Sequence, residues 1–286
     1  QNKVPIDFIS THSYGVSQGF LDEYGNRGTI LSKNPKSVSG DVIKVRKEIK
    51  ESTMPDLQLH FTEWSSSYTP ADPIHDSYQE AAYVLQKLKQ VGNAANSMSY
   101  WVFTDIFEEP GPRFTPFQGG FGMMTIQGIN KPVLYAYRFL NHLGNIELKN
   151  DDSDSWACKD SSGNIQVLAW NCTNTLPDSV NDQQYYIRDL PAKPIGELKI
   201  HIKDVPAGKY ALNVYKIGYK SNDAYSAYLS MGAPSQLDRQ QVLQIKKQND
   251  GSPLLQKIIT VKNGVPFSSE LNLRENDVYF LKLIKL

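Results

Sequence analysis

The sequence predicts an α/β half followed by an all-β half, with the change at about residue 145. Before that point, short strands alternate with amphipathic helices, which is the pattern of βα units with parallel strands. From residue 146 onward, short strands are separated by turn signals such as Ser162-Gly-Asn164 and Asn263-Gly-Val265, which favours an antiparallel β-sandwich. We therefore expect two domains, residues 1–145 and residues 146–286.

The composition is that of an ordinary globular protein with balanced charge. The 286 residues include 30 Lys and Arg, 30 Asp and Glu, and 40% hydrophobic residues. Without a basic excess we expect no nucleic-acid partner, and without an apolar run of about 20 residues we expect no membrane span. A small neutral or locally charged substrate is the expected partner. The sequence leaves export open, so the bacterial cytoplasm and the periplasm both remain candidate locations.

The first half is predicted to contain three strands and three helices. We expect strands at residues 6–12, 57–64 and 98–104, and helices at residues 39–52, 77–91 and 133–143. Pro132 suits the first turn of the last helix, because its fixed φ and missing N–H are tolerated there. A series of such units implies parallel strands joined by right-handed crossovers.

The second predicted strand delivers a carboxylate, Glu63, to its C-terminal end. Leu57, Leu59 and Phe61 alternate with polar residues, which is the period of a strand. In barrels of parallel strands the catalytic side chains come from the C-terminal strand ends. His12 and Tyr14, predicted to lie just past the end of the first strand, are candidates for the same reason. The ordinary alternative for a glutamate is a solvated surface charge.

The second half is predicted to be β-rich with one helical exception. Strands are expected at residues that include 165–170, 196–202, 209–215 and 277–285, and helical segments at residues 224–229 and 236–246. Cys158 and Cys172 fall on two arms of one predicted hairpin. Strand rise separates them by roughly 17 Å, which is too far for a disulfide, so we expect two free thiols.

The histidines and the one glycosylation sequon carry little further information. The five histidines are scattered and lack the spacing of metal ligands, so we expect no metal and no organic cofactor. Asn171-Cys-Thr173 fits the sequon, a pattern that is also common by chance.

Several short motifs form a specific pattern because they occur together in one order. They are His12-Ser-Tyr14, Thr62-Glu-Trp64 followed by Tyr68, Tyr100-Trp-Val-Phe-Thr-Asp-Ile-Phe-Glu-Glu109, Gly119-Gly-Phe-Gly122, and Asn222-Asp-Ala-Tyr-Ser-Ala-Tyr228 followed by Met231-Gly-Ala-Pro234. The pattern resembles glycoside hydrolase family 39, whose members include bacterial β-xylosidases and animal α-L-iduronidases, and it is closest to the xylosidase branch. The resemblance implies that residues 1–145 are the C-terminal part, about strands 6 to 8, of a (β/α)8 TIM barrel.

The resemblance also implies a retaining mechanism with a covalent glycosyl-enzyme. Glu63 matches the family's nucleophile, and His12 and Tyr14 would bind sugar hydroxyls or orient Glu63. Tyr68 would bind substrate and Trp101 would form an apolar wall beneath the sugar ring, although a core position is the alternative for Trp101.

Glu108 and Glu109 would accept hydrogen bonds from sugar hydroxyls by the same resemblance. An ionised carboxylate suits that role, because a hydroxyl bonds it more strongly than a neutral acceptor. Without the family pattern, this acidic pair would be a solvated turn.

The sequence departs from the family in one respect that bears on activity. The family's acid/base is a Glu after an Asn at the end of the fourth strand, and no Asn-Glu pair precedes Glu63. The chain is therefore expected to be inactive alone, and open strand edges invite self-association.

Two questions of function remain open at the level of the sequence. One is whether this chain is part of an enzyme or a carbohydrate-binding or scaffold module without turnover. The other is the sugar: iduronate would need cations for its carboxylate, and the loop residues Arg27, Arg113 and Lys131 do not decide between iduronate and xylose.

Overall fold

The computed structural model describes residues 4–21, 24–25, 27–106, 115–173, 176–177 and 179–286. The helices are α1 Ser39–Glu51, α2 Gln79–Val91, α3 Pro132–Asn141, α4 Asp182–Tyr185, α5 Ala224–Ser230 and α6 Arg239–Gln248, with a 3-10 turn at Pro73–Asp76. The strands are β1 Phe8–Tyr14, β2 Val16–Leu21, β3 Arg27–Leu31, β4 Gln58–Ser65, β5 Ser97–Tyr100, β6 Ile146–Glu147, β7 Ser155–Lys159, β8 Ile165–Trp170, β9 Pro194–Ile202, β10 Gly208–Ile217, β11 Leu255–Val261, β12 Phe267–Arg274 and β13 Val278–Lys285.

The first half contains a three-stranded parallel sheet in the order β1-β4-β5. The predicted parallel strands are therefore confirmed, with β4, the strand of Glu63, in the centre. One face of this sheet is covered by helices: Leu59 and Phe61 of β4 share a hydrophobic cluster with Val42 of α1 and Val91 of α2. The opposite face carries Phe8, whose side chain is 54% exposed.

Two predicted strand boundaries are corrected by the structure. β1 begins and ends two residues later than predicted, so His12 and Tyr14 are its final residues rather than residues beyond it. β5 ends at Tyr100 instead of residue 104. The physical reason is a change of partner, because Val102 N–H donates to the carbonyl of Phe121 at 3.0 Å and Asp105 N–H donates to that of Met124 at 2.9 Å.

The second half contains two antiparallel sheets that share a core. One has six strands in the order β11-β10-β13-β8-β7-β6, and the other pairs β12 with β9. Val167, Leu212 and Leu281 of the large sheet belong to the same buried cluster as Ile200 and Phe267 of the small one. The helical exception is confirmed by α5 and α6.

Helices of the first half cover the other face of the six-stranded sheet. Leu85 of α2 and Phe139 of α3 lie in one buried cluster with Leu168 of β8 and Phe280 of β13. The rings of Phe139 and Phe280 stack with centroids 5.1 Å apart. The two halves on either side of the predicted boundary at residue 145 thus share a hydrophobic core.

Two expectations from the sequence concern the cysteines and membrane-spanning helices. Neither Cys158 nor Cys172 forms a disulfide, as predicted, and Cys158 pairs with Gln166 across β7 and β8. Among the helices in the described part of the chain, none combines the length and hydropathy needed to cross a bilayer.

Candidate active site

The C-terminal edge of the parallel sheet brings three of the predicted site residues together. His12 of β1 pairs directly with Glu63 of β4, and Tyr14 lies two residues further along β1. On the other side of β4, Trp64 pairs with Tyr100, and Trp101 N–H donates to the carbonyl of Trp64 at 3.1 Å. Glu63 therefore lies between the strand of His12 and Tyr14 and the strand that leads into Trp101.

A β-bulge decides which face of the sheet Glu63 occupies. Thr11 pairs with Phe61, but the next residue, His12, pairs with Glu63, so Thr62 is the extra residue on β4. Regular alternation would put Glu63 on the helix-covered face with Leu59 and Phe61. The bulge changes the phase: Trp64 is fully buried in the cluster beneath the helices, and the Glu63 side chain is 28% exposed.

The carboxylate of Glu63 is held through one of its two oxygens. Tyr14 Oη donates to Glu63 Oε2 at 2.8 Å, and His12 Nδ1 lies 3.2 Å from the same oxygen. Neither contact occupies Oε1. This geometry fixes the orientation of the carboxylate while leaving one oxygen clear of both partners.

Tyr68 and Trp101 lie in the segments that follow β4 and β5. The rings of Tyr68 and Tyr14 meet edge to face with centroids 6.2 Å apart, and Tyr68 is 46% exposed. Trp101 is half-buried. It directly follows Tyr100, the last residue of β5, whose side chain packs on the helix-covered side.

An open cleft begins at Tyr68. It has a volume of about 440 Å³ and lies between the β2–β3 hairpin and the segment after β4. Its lining residues are Gly19, Phe20, Leu21, Gly28, Tyr68, Thr69 and Pro70. The edge of the sheet that carries Glu63 thus continues into a concave surface.

A buried lysine joins the loops that follow β4 and β5. Lys131 Nζ lies 2.6 Å from Asp76 Oδ1 and 2.8 Å from Asp105 Oδ2, and it donates to the carbonyl of Gly120 at 2.8 Å. Burial disfavours the charged amine, but Asp105 and Asp76 outweigh that effect, so the pKa of Lys131 is raised. Burial, with repulsion from Asp105, also raises the pKa of Asp76.

From the sequence, Lys131 was considered as a loop cation that could pair with a substrate carboxylate. The structure corrects this interpretation. Its side chain is fully buried and bonded to two aspartates. The backbone of the glycine motif is held by the same carboxylates, since Gly119 N–H donates to Asp76 at 2.6 Å and Gly122 N–H donates to Asp105 at 2.7 Å.

The remaining predicted residues are not placed by the structure. Glu108, Glu109 and Arg113 lie outside the described residues. Within the described ranges, no group of three or more His, Cys, Asp or Glu side chains is arranged to hold a metal ion. The absence of a cofactor stays a prediction, as do the individual roles of His12, Tyr14, Glu63, Tyr68 and Trp101.

A carboxylate at the end of a central parallel strand, oriented by a phenol and flanked by aromatic rings, is the kind of site found in glycoside hydrolases. Comparison with known proteins agrees. The family model for glycosyl hydrolases family 39 matches residues 1–258, and the chain belongs to that family, in the branch of the bacterial β-xylosidases.

Individual relatives show the same likeness. A β-xylosidase from Caldicellulosiruptor saccharolyticus is 30% identical over 258 residues, which cover 87% of this chain and 48% of that protein. The crystal structure of a family 39 enzyme from Xanthomonas axonopodis pv. citri matches with a TM-score of 0.94 and 42% identity, covering 99% of this chain and 55% of the other.

A monomeric β-xylosidase from Caulobacter crescentus CB15 matches with a TM-score of 0.93 and 41% identity, covering 99% of this chain and 56% of that protein. The chain thus spans about half the length of the relatives that it matches.

Proposed function

We propose that this chain is the C-terminal portion of a retaining, β-xylosidase-like glycoside hydrolase, with Glu63 as the nucleophile. The observation that carries the proposal is the position of Glu63 at the C-terminal edge of the parallel sheet, where Tyr14 and His12 contact a single carboxylate oxygen. The names of the relatives support β-xylosides as substrates.

In the proposed reaction, an oxygen of Glu63 attacks the anomeric carbon and forms a glycosyl ester as the bond to the leaving-group oxygen breaks. A general acid protonates that leaving oxygen. Water then attacks the same carbon, its proton passes to the group that acted as the acid, and Glu63 leaves as a carboxylate. The hydrogen bond from Tyr14 holds Glu63 in place for both displacements.

The fold context of the site is part of the proposal. β1, β4 and β5 would be about strands 6 to 8 of a (β/α)8 barrel, and the two antiparallel sheets of the second half would be a β-sandwich domain. The exposed face bearing Phe8 and the positions of β1 and β5 at the two edges of the sheet, as far as the described residues show it, support this. Residues outside this chain would supply the opposite wall and the acid/base, so the isolated chain would be inactive and able to self-associate.

Xylose is favoured over a uronic acid as the sugar. A uronic acid carries a carboxylate that needs a cation, and of the three loop cations considered above Lys131 is unavailable, because its amine is buried against two aspartates. The aromatic residues Tyr14, Tyr68 and Trp101 suit a neutral pyranose, which presents an apolar ring face and several hydroxyls.

The test uses the full-length protein and an aryl β-xyloside with a good leaving group. Glu63→Ala should lower kcat by a factor on the order of 10⁴ or more. Azide, a small external nucleophile, should restore turnover and give a glycosyl azide of inverted configuration, because it attacks where Glu63 would have.

Glu270→Ala is the matched control, since Glu270 is an exposed carboxylate on β12. Substantial turnover by Glu63→Ala without azide would reject Glu63 as the nucleophile. Xylo-oligosaccharide binding by a full-length wild-type protein that turns over no xyloside would instead support a carbohydrate-binding module.

A further inference from the structure

His75 is a fully buried histidine in the 3-10 turn that follows β4, and both of its ring nitrogens face carbonyl oxygens. Nδ1 lies 2.9 Å from the carbonyl oxygen of Gly119, and Nε2 lies 3.1 Å from that of Ser67. A carbonyl oxygen can only accept a hydrogen bond, so both nitrogens must carry a proton for both bonds to exist.

The two carbonyls belong to two different walls of the candidate site. Ser67 is a buried residue two positions beyond the end of β4, the strand of Glu63. The carbonyl of Ser65, the last residue of β4, accepts from Gly15 N–H at 3.2 Å. Gly119 begins the glycine motif, in which the carbonyl of Phe121 accepts from Val102, the residue after Trp101. His75 therefore ties the strand end of Glu63 to the loop that supports Trp101.

Two buried carboxylates, Glu80 and Asp76, lie near this histidine. Glu80 of α2 is fully buried; burial raises its pKa, and the nearby His75 acts in the opposite direction. Asp76, the next residue in the turn, accepts from Gly119 N–H and pairs with Lys131. The ring of Phe121 packs against the imidazole of His75, with ring centroids 5.2 Å apart. Negative charge on Glu80 would offset a positive charge on the imidazole.

We propose that His75 is a positioning residue which, as a doubly protonated imidazolium balanced by Glu80, fixes the segment after Glu63 against the loop after Trp101. This role rests on the proposed glycosidase function. Loss of either hydrogen bond removes one of the contacts between the two segments, beside those of Asp76 and Lys131, and displacement of the reacting groups by about 1 Å can lower the rate by roughly 10²-fold.

The kinetic test compares His75→Gln with wild type in the full-length enzyme. Glutamine has one terminal nitrogen and cannot donate to both carbonyls, which lie on opposite sides of the ring. We expect kcat on the aryl β-xyloside to fall about 10- to 100-fold, with a change in KM of less than about threefold. His201→Gln, which alters an exposed histidine bonded to Ser268, should leave both constants unchanged.

The protonation test does not depend on activity. In protein carrying ¹⁵N-labelled histidine, the His75 resonances should show a proton on each ring nitrogen at neutral pH. They are assigned by their loss in His75→Gln or, if that variant does not fold, by elimination with variants of the other histidines. In Glu80→Gln, one of the two protons should be lost and kcat should fall, because the balancing charge is gone.

The outcomes separate this inference from the proposed function. A bare ring nitrogen on His75 in the wild type, or a folded His75→Gln enzyme with wild-type kcat, overturns the positioning role. A wild-type protein that turns over no xyloside, or an unaffected Glu63→Ala variant, overturns the proposed function instead and leaves the protonation result standing.

Discussion

The phenol of Tyr14 donates a hydrogen bond of 2.8 Å to Oε2 of Glu63, from the neighbouring parallel strand. A hydrogen bond to an ionised carboxylate is stronger than one between neutral groups. It fixes the orientation of the carboxylate. The pairing depends on the bulge at Thr62, which turns Glu63 to the face that Tyr14 occupies.

Tyr14→Phe should therefore impair catalysis in the full-length enzyme. The change removes a bond worth about 1.5–3 kcal/mol when the acceptor is charged, so kcat on an aryl β-xyloside should fall roughly 10- to 150-fold. Steady-state kinetics check this expectation. Tyr219→Phe is the matched control, because Tyr219 also donates to a carboxylate, Asp189 Oδ2 at 2.9 Å, outside the Glu63 cluster. Equal kcat in wild type and Tyr14→Phe would contradict the orienting role.

The isolated 286-residue chain should turn over an activated aryl β-xyloside far more slowly than the full-length enzyme. General acid assistance alone is worth roughly 10² to 10⁴ in rate, and the missing wall also costs substrate positioning. Parallel assays of the two proteins, with a leaving group that needs little protonation, check this. A rate for the short chain within about tenfold of the parent would show that a second carboxylate of this chain serves as the acid.

The isolated chain should also self-associate through the open side of its parallel sheet. Phe8 is 54% exposed on the edge strand β1, and such an edge offers unpaired backbone groups. Light scattering coupled to size-exclusion chromatography should give a mass above 32.2 kDa, and Phe8→Lys should lower it. Ile258→Lys, which alters an exposed residue of edge strand β11, is the control. A monomer at all concentrations would refute this prediction.

Replacing Lys131 by methionine should strongly destabilise the protein. The substitution leaves Asp76 and Asp105 buried without their cation, and breaking a buried ion pair in this way costs about 3–5 kcal/mol. Urea unfolding of the full-length protein measures the change. Lys44→Met removes an exposed lysine that lies 3.9 Å from Glu48 and should change stability by less than about 1 kcal/mol. Similar values for the two variants would mean that the buried triad contributes little.

Asp182 should make stability depend on pH. Burial, and next the charge of Asp72, raise the pKa of Asp182 from 3.8 to about 10. A raised pKa means that the native state holds the proton more tightly than the unfolded state. The resulting stability is therefore fully present below pH 3.8 and is lost progressively as the pH rises towards about 10.

Asp182→Asn keeps an acceptor for Leu31 N–H, which now bonds Asp182 Oδ1 at 2.9 Å, and adds an amide donor that can face Asp72. Its free energy of unfolding should fall less steeply between pH 5 and 9 than that of the wild type, as measured by urea titrations across that interval. The exposed Asp151→Asn should follow the wild-type curve. Identical pH dependence in wild type and Asp182→Asn would contradict the raised pKa of Asp182.

Much of the architecture could be predicted because its signals are local. The helices at α1, α2 and α3 follow from apolar periodicity, and the parallel pairing follows from the alternation of strands and helices. The boundary of β5 could not be predicted in this way. The residues after Tyr100 form an apolar run that is typical of a buried strand, but their backbone bonds to the glycine motif instead.

Apolar periodicity also could not predict that Glu63 lies on the face of the sheet opposite the helices. Regular alternation from Leu59 and Phe61 assigns Glu63 to the buried face, and nothing local to Thr62 signals the bulge that reverses this. The family pattern supplied the candidate nucleophile where alternation pointed the other way. A bulge is set by pairing with a distant strand, which a single sequence does not display.

His75 and Lys131 were missed as structural elements of the site for a related reason. Each looks like an ordinary polar residue in a loop, and each finds its partners far along the chain: His75 and Gly119 are 44 positions apart. Only the buried environment, in which polar atoms must be satisfied, distinguishes them from solvated side chains.

The packing of α2 and α3 against the six-stranded sheet has a consequence for recombination between homologues. The helices that pack against the strand of Glu63 and the strand before Trp101 also pack against Leu168 and Phe280 of the six-stranded sheet. A hybrid gene joined near codon 145 would combine helices from one parent with a sheet from another. The apolar side chains of the two surfaces would then no longer fit each other. Crossovers that keep both halves from one parent preserve that fit, so we expect the two halves to be exchanged between relatives as a single inherited block.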